Sequence, residues 1–277
     1  MREISVAIVQ SHPRLAEPRA NIDRMLEIID VVAGAQRVNL VVFPELATTG
    51  YECGVKFTEL AEPVPGATVA AFAERAEKYQ THIAFGMVVK HKVESVVYDA
   101  AVLVGPNPDA PVLGQYVKVH LKPEERPIFR GGLRFPVFET NFGRVGLMLG
   151  WDLLFPESAR TLALEGAELL AVCANWETQS IEEWRTLLSA RAIENTLFVA
   201  GANRIGDEYT YSFGGESALI GPRGETLGAV GRDENDRPKE AYSIAKMDLD
   251  LVKKYREELQ VMQSRQPIAY RTVVKNY

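Results

Sequence analysis

An α/β fold is predicted by two observations. Apolar strand-like runs and amphipathic helix-like segments alternate along the whole chain, and no Ser/Gly-rich linker or break in composition separates one half from the other. Residues 1–277 are therefore expected to form a single domain. Residues 4–10 read as a buried strand. Residues 19–34 read as a helix, because Ile22, Met25, Leu26, Ile29 and Val32 recur at helical spacing. A strand at 40–43, a helix at 67–79 and a strand at 83–89 follow. Segments 95–104 and 112–118 flank a Gly-Pro-Asn-Pro turn and predict an antiparallel hairpin. The second half continues with strand 144–149, helix 156–165, strand 169–173, helix 182–195 and strand 197–203. Segments 215–220 and 226–230 flank Gly-Pro-Arg-Gly and predict a second hairpin. The tail, 252–277, is charged and then extended; it reads as too polar for core and as an extension at an oligomer interface.

Hydrophobic residues make up 47% of the chain and charged residues 25%, the values of a globular protein with a sizeable core. The formal net charge of -6, with no long run of Lys or Arg, argues against a nucleic-acid or anionic-membrane partner. The opening MREISVAIVQS is too short an apolar run for a secretory signal, and no stretch approaches the roughly 20 apolar residues of a membrane helix. A cytoplasmic location is expected, and Cys53 and Cys173, far apart and outside any metal or redox motif, are expected to be reduced thiols.

Candidate reactive residues stand at strand ends. In Val41-Val-Phe-Pro-Glu45, Pro44 cannot donate to a ladder and marks where the chain leaves the sheet. Open α/β sheets bind ligands beyond the carboxyl ends of their strands, which is where Glu45 falls, although a glutamate after a strand is most often simply solvated. In Tyr116-Val-Lys-Val-His-Leu121, alternation puts Tyr116, Lys118 and His120 on one face and Val117, Val119 and Leu121 on the other. Lys118 is open to the plainer reading of a snorkelling lysine. His120 reads as a hydrogen-bonded structural histidine, since no second His or Cys stands at metal spacing, and Glu124 and Glu125 read as loop charges. Residues 145–157, VGLMLGWDLLFPE, run from strand through glycine and Trp151-Asp152 into a helix start. Such an elbow presents a nucleophile and points backbone N–H groups at an incoming carbonyl. Its corner residue is Gly150, which alone implies a tight turn or a close ligand approach.

Three segments, FPELATTGY at 43–51, YVKVHLKPEE at 116–125 and GLMLGWDLLFPESAR at 146–160, together resemble the nitrilase, or carbon–nitrogen hydrolase, superfamily in order and spacing. CANWE at 173–177, ARAIENTLFVAGANRIG at 190–206 and FGGESALIGPRGE at 213–225 extend the resemblance over nearly the whole chain. It implies a four-layer α-β-β-α sandwich and a Glu-Lys-Cys triad, often with a second glutamate. By this resemblance Glu45 matches the general base, Lys118 the lysine that holds the oxyanion, and Glu125, rather than Glu124, the second glutamate. The family's cysteine falls at Gly150, where this sequence departs from the pattern, and neither Cys53 nor Cys173 lies where it could substitute. A working member would attack an amide or nitrile carbon with the thiolate, pass through a thioester and release ammonia, with Lys118 and the Trp151 N–H on the oxyanion. No metal and no organic cofactor is implied. Tyr51, Phe129, Trp151, Asn175 and Trp176 are expected to line the substrate pocket.

Losing the nucleophile of a triad costs about 10⁶ in turnover. The expectation is therefore a carbon–nitrogen hydrolase for a small aliphatic or amino-acid-derived amide, with glycine in place of its nucleophile, still able to bind substrate. A natural pseudoenzyme that binds an amide ligand or serves as a scaffold is the alternative, and nitrilase or N-carbamoyl hydrolase chemistry a further one. Direct activation of water by Glu45 is disfavoured, because the water would lack a fixed attacking position. A homodimer or higher homo-oligomer is expected.

Overall fold

A computed structural model describes residues 1–91 and 96–274. The first half contains β1 (Glu3–Gln10), α1 (Pro18–Ala35), β2 (Leu40–Val42), the short α2 (Phe57–Leu60), α3 (Ala67–Tyr79), β3 (His82–Lys90), β4 (Val97–Val104) and β5 (Val112–Val117). The second contains β6 (Val137–Glu139), β7 (Arg144–Leu149), α4 (Pro156–Leu164), β8 (Leu169–Ala174), α5 (Ile181–Asn195), β9 (Phe198–Asn203), β10 (Ile205–Asp207), β11 (Ser212–Gly214), β12 (Ala218–Ile220), β13 (Thr226–Ala229), β14 (Ala241–Asp248) and α6 (Asp250–Leu259).

Two six-stranded sheets result, ordered β14-β1-β2-β3-β4-β5 and β13-β12-β9-β8-β7-β6. In each, three parallel strands, β1-β2-β3 or β7-β8-β9, are flanked by antiparallel ones. The sheets face each other across a layer that includes Val6, Ile8, Leu103, Leu147, Leu149 and Phe198. Strand alternation gives each sheet a second apolar face. Met25, Ile29, Val32 and Phe72 of α1 and α3 cover one, and Leu162, Trp184 and Leu188 of α4 and α5 cover the other. The architecture is an α-β-β-α sandwich, as the family resemblance implies. Both α1 and α4 open on a proline, whose missing N–H costs nothing in a helix's first turn.

Three boundaries differ from the expectation. The helix α6 and the strand β14 occupy a region read as extended tail or not assigned, and Val252 of α6 is buried against the inter-sheet core. That corrects the view that everything from residue 252 onward is too polar for core; beyond α6, Ile268, Tyr270 and Val273 are exposed. The second hairpin pairs β12 with β13 but starts at Ala218, because Gly215 turns at φ +71°. Strand β5 ends at Val117, so Lys118 lies just past it. Ser95 and the tail's residues 275–277 lie outside the described residues.

Candidate active site

Glu45 is placed by a close pass between two strands. After β2 the chain keeps pairing with β3, through Phe43 N to Ala84 O (2.8 Å) and Gly86 N to Pro44 O (3.0 Å). A Cβ on Gly86 would stand 2.5 Å from Glu45 Cα, so glycine is what lets the segment through. Leu46, the next residue, is fully buried at φ +46°, a strained backbone that costs on the order of 1–3 kcal/mol. Its carbonyl accepts from the N–H groups of Thr49 and Gly50, which fixes the turn.

Lys118 is aimed inward from the end of β5. Its N–H donates to Asp99 O (3.0 Å) and its carbonyl accepts from Gly132 N (2.7 Å). The ammonium lies 2.6 Å from Glu45 Oε1, 2.7 Å from Glu125 Oε1 and 3.6 Å from Asp99 Oδ2, and all four side chains are buried. Glu45 Oε2 accepts from Asn175 N (3.0 Å). Glu125 accepts from Tyr51 OH (3.0 Å) and Lys122 N (2.9 Å). Burial disfavours the charge on Glu45, yet the Lys118 ammonium, the neighbouring Asp99 and the nearby Lys122 outweigh it and hold the carboxyl below its ordinary range. Burial likewise opposes charge on Lys118, and Glu45, Glu125 and Asp99 reverse it, raising the ammonium well above the usual lysine value. For Asp99 burial, then the charge of Glu45, wins over Lys118, and its carboxyl is raised well above the ordinary value. Oxygens of Glu45, Asp99 and Glu125 lie close enough together to resemble a metal-ligand set, but the Lys118 ammonium supplies the positive charge among them.

The elbow is clamped to the end of β5 by Asp152. Its carboxylate accepts from Tyr116 OH (2.6 Å), His120 N (3.0 Å) and Leu149 N (3.3 Å), and pairs with His120 Nδ1 (2.8 Å). Tyr116 and His120 thus share a partner, while Lys118 turns to the carboxylates; the alternation expected through residues 116–121 stops with the strand. Gly150 has φ +23°, and a Cβ built on it would overlap Glu45 Oε2 and stand 3.3 Å from Glu45 Cδ. The carboxylate therefore faces the elbow directly, and any side chain at 150 requires it to move.

A cavity of about 230 Å³ opens beside this centre, lined by Glu45, Glu125, Trp151, Asn175, Trp176 and Glu183, among others. Asn175 is buried, and among the described residues neither its amide nitrogen nor its amide oxygen has a partner. Of the residues expected to line a pocket, Trp151, Asn175 and Trp176 do. Tyr51 stands behind Glu125, its hydroxyl held as a donor by burial and by the charges of Glu125 and Glu124. Phe129 packs on Phe57 (4.8 Å between ring centroids) within a satellite core. Glu124 accepts from Tyr51 and Tyr211 hydroxyls, both at 3.2 Å. Both cysteines are free and buried; burial pushes the Cys53 thiol up to about 11 and Cys173 higher still. Asp99, Asp152 and the Lys122–Glu177 pair (2.6 Å) were not singled out from sequence. The one available signal for Asp99 was an acid inside the apolar run of β4.

Glu45 follows β2, Gly150 follows β7 and Asn175 follows β8, all at the carboxyl ends of parallel strands, so fold and site define an α-β-β-α protein with a buried carboxylate–lysine centre. The carbon-nitrogen hydrolase family model matches residues 5–257, and the chain belongs to that family. It is 36% identical to a probable nitrilase from Schizosaccharomyces pombe, over 98% of each chain. It is 31% identical to an (R)-stereoselective amidase from Pseudomonas sp, over 95% of this chain and 91% of the other. Among solved structures, a carbon-nitrogen hydrolase from Helicobacter pylori G27 superposes with a TM-score of 0.89 at 26% identity, covering 99% of both chains.

Proposed function

We propose that this chain binds a small aliphatic or amino-acid-derived amide at the Glu45–Lys118–Glu125 centre and turns it over poorly, because Gly150 brings no thiol to the bound carbonyl. The observation that carries this reading is Asn175, whose buried amide lines the cavity with both its donor and its acceptor unpartnered among the described residues. A ligand amide is its chemical complement: the ligand carbonyl accepts from Asn175 Nδ2 and the ligand N–H donates to Oδ1. The Lys118 ammonium and the Trp151 backbone N–H supply positive potential for the carbonyl oxygen, and Glu45 is the base. In a thiol-bearing relative that base would take the thiol proton; here no thioester forms, and turnover is reduced by about 10⁶. Glu45, Glu125, Glu177 and Glu183 line the cavity against Lys122, so a neutral or cationic tail is favoured over a carboxylate.

A second reading, a nitrile in the same place, is favoured by the 36% identity to a probable nitrilase. The test is calorimetric titration of the chain with an aliphatic amide, an amino-acid amide, a carbamoyl-amine and a nitrile, followed by ammonia assay of the Gly150→Cys protein. An amide is expected to bind, and Asn175→Ala to weaken it about tenfold. If nothing in the panel bound the parent and Gly150→Cys released no ammonia, a scaffold protein would be the better description.

A further inference from the structure

Three carboxyl groups and one ammonium share the buried centre, and Asp99 is the carboxyl without a counter-charge of its own. Oxygens of Glu45, Asp99 and Glu125 all lie within 4.8 Å of one another. Lys118 Nζ contacts Glu45 at 2.6 Å and Glu125 at 2.7 Å but stays 3.6 Å from Asp99. Glu45 receives in addition the Asn175 N–H, and Glu125 the Tyr51 hydroxyl and the Lys122 N–H. Among the described residues no hydrogen-bond donor is aimed at either oxygen of Asp99, which is fully buried on β4. The other titratable groups that face it are Tyr116 on β5 and Cys173 on β8, both kept neutral first by burial. Like charges so close in a buried site cannot all be ionised; one carboxyl takes a proton, and the least compensated one is favoured.

We infer that Asp99 is protonated at neutral pH and donates that proton in a hydrogen bond to Glu45, which makes it a positioning residue for the Glu45 carboxylate. The hydroxyl of Asp99, the ammonium of Lys118 and the N–H of Asn175 then converge on one carboxylate and fix its two oxygens. Burial and the neighbouring negative charges act on Asp99 in the same direction. The importance of this for chemistry rests on the reading of Glu45 as the base; the proton on Asp99 does not.

Linkage gives the test. Unfolded, Asp99 ionises near the ordinary value of about 3.9; folded, it stays neutral, so folding takes up one proton above that pH. Asp99→Asn keeps a donor toward Glu45 and cannot ionise. Its folding equilibrium constant, relative to the parent's, is expected to rise about tenfold per pH unit between about pH 5 and neutrality, measured by urea unfolding. A ratio that does not change with pH means an ionised Asp99 and overturns the inference. Should Asp99→Asn not fold, carbon-13 NMR of the parent labelled at aspartate Cγ decides: one buried resonance at the protonated position at pH 7 is expected, and its absence overturns the inference. Asp99→Leu removes the donor, so with glutamate Cδ labelling the Glu45 carboxyl is expected to titrate at higher pH than in the parent, while Asp99→Asn leaves it in place. An unmoved Glu45 in Asp99→Leu overturns the positioning role. None of these readouts needs a ligand or turnover, so failure of the proposed function would leave them intact.

Discussion

Replacing Lys118 by methionine tests whether the buried centre is held by one cation. The side chain stays unbranched, one atom shorter, and loses its charge, leaving Glu45 and Glu125 without the ammonium now 2.6 and 2.7 Å away. Removing one partner of a buried pair costs about 3–5 kcal/mol, and because Lys118 serves two carboxylates the upper end applies. For a chain of this length that is a fall in Tm of roughly 10 °C or more. The sign with pH follows from the two shifts. Glu45 is depressed in the parent, so its contribution is present above its unfolded pKa and disappears as pH falls through the folded value. Lys118 is raised, so its contribution is complete below the ordinary lysine value and is lost only as pH rises through the folded one. Both are in full force around neutrality, where the deficit of Lys118→Met is greatest. Stripped of the ammonium, the carboxylates take protons more readily, and the deficit shrinks on acidification. Urea unfolding followed by tryptophan fluorescence at about pH 8 and pH 5 measures both values. A loss below about 1 kcal/mol at the higher pH, the range of an exposed ion pair, or a deficit that does not shrink, would refute the reasoning.

Further outcomes follow from the same geometry. Gly86→Ala places a methyl group 2.5 Å from Glu45 Cα; it is expected to cost about 1–3 kcal/mol in chemical denaturation and to weaken amide binding in calorimetry. Trp184→Ala empties a fully buried site between α5 and the second sheet and orphans the Glu216 carbonyl, for an expected loss of about 3–5 kcal/mol by urea unfolding. Cys53, at about 11, and Cys173, higher still, are expected to resist iodoacetamide at neutral pH in the folded protein and to react in urea at raised pH, as read by mass spectrometry; rapid native labelling would show that a thiol is exposed.

Much of this fold was legible because its periodicities are local. Met25, Ile29 and Val32 mark the inner stripe of α1 and are buried there, and the apolar runs of β1, β7, β8 and β9 are the nearly continuous kind that sheets covered on both faces require. The glutamate, lysine and glycine of the site were legible for a different reason, the resemblance of their flanking motifs. What was missed depends on partners distant in sequence. Strand β14 alternates weakly and owes its place to antiparallel pairing with β1, from Glu3↔Asp248 to Gln10↔Ala241. The helix α6 reads as polar because one side chain, Val252, carries its burial. Strands β6, β10 and β11 are three residues each, too short for a period to register. Asp99 is an isolated acid in the apolar sequence of β4, and only the fold puts it beside Lys118, just past the end of β5.

The cost of this centre bears on what it is for. A buried ion cluster is commonly no more stabilising than apolar side chains of the same volume. Here the fold also accepts a strained Leu46 and a close strand approach that only Gly86 permits, and both place Glu45 against Gly150. Neither device improves the packing of the inter-sheet core, which closes through Leu147, Leu149 and their neighbours. A polar ligand that completes the hydrogen bonding of Asn175 would offset part of that cost, and only the bound state could recover it. Gly150 also has a steric consequence, whatever chemistry the site performs. With no Cβ to hold it back, Glu45 Oε2 occupies the space at the elbow, gripped by Lys118 through its other oxygen and by the Asn175 N–H. Placing a cysteine at position 150 therefore requires a carboxylate rotation as well, and a ligand that draws Lys118 or Asn175 toward itself is what would release Glu45 to make it.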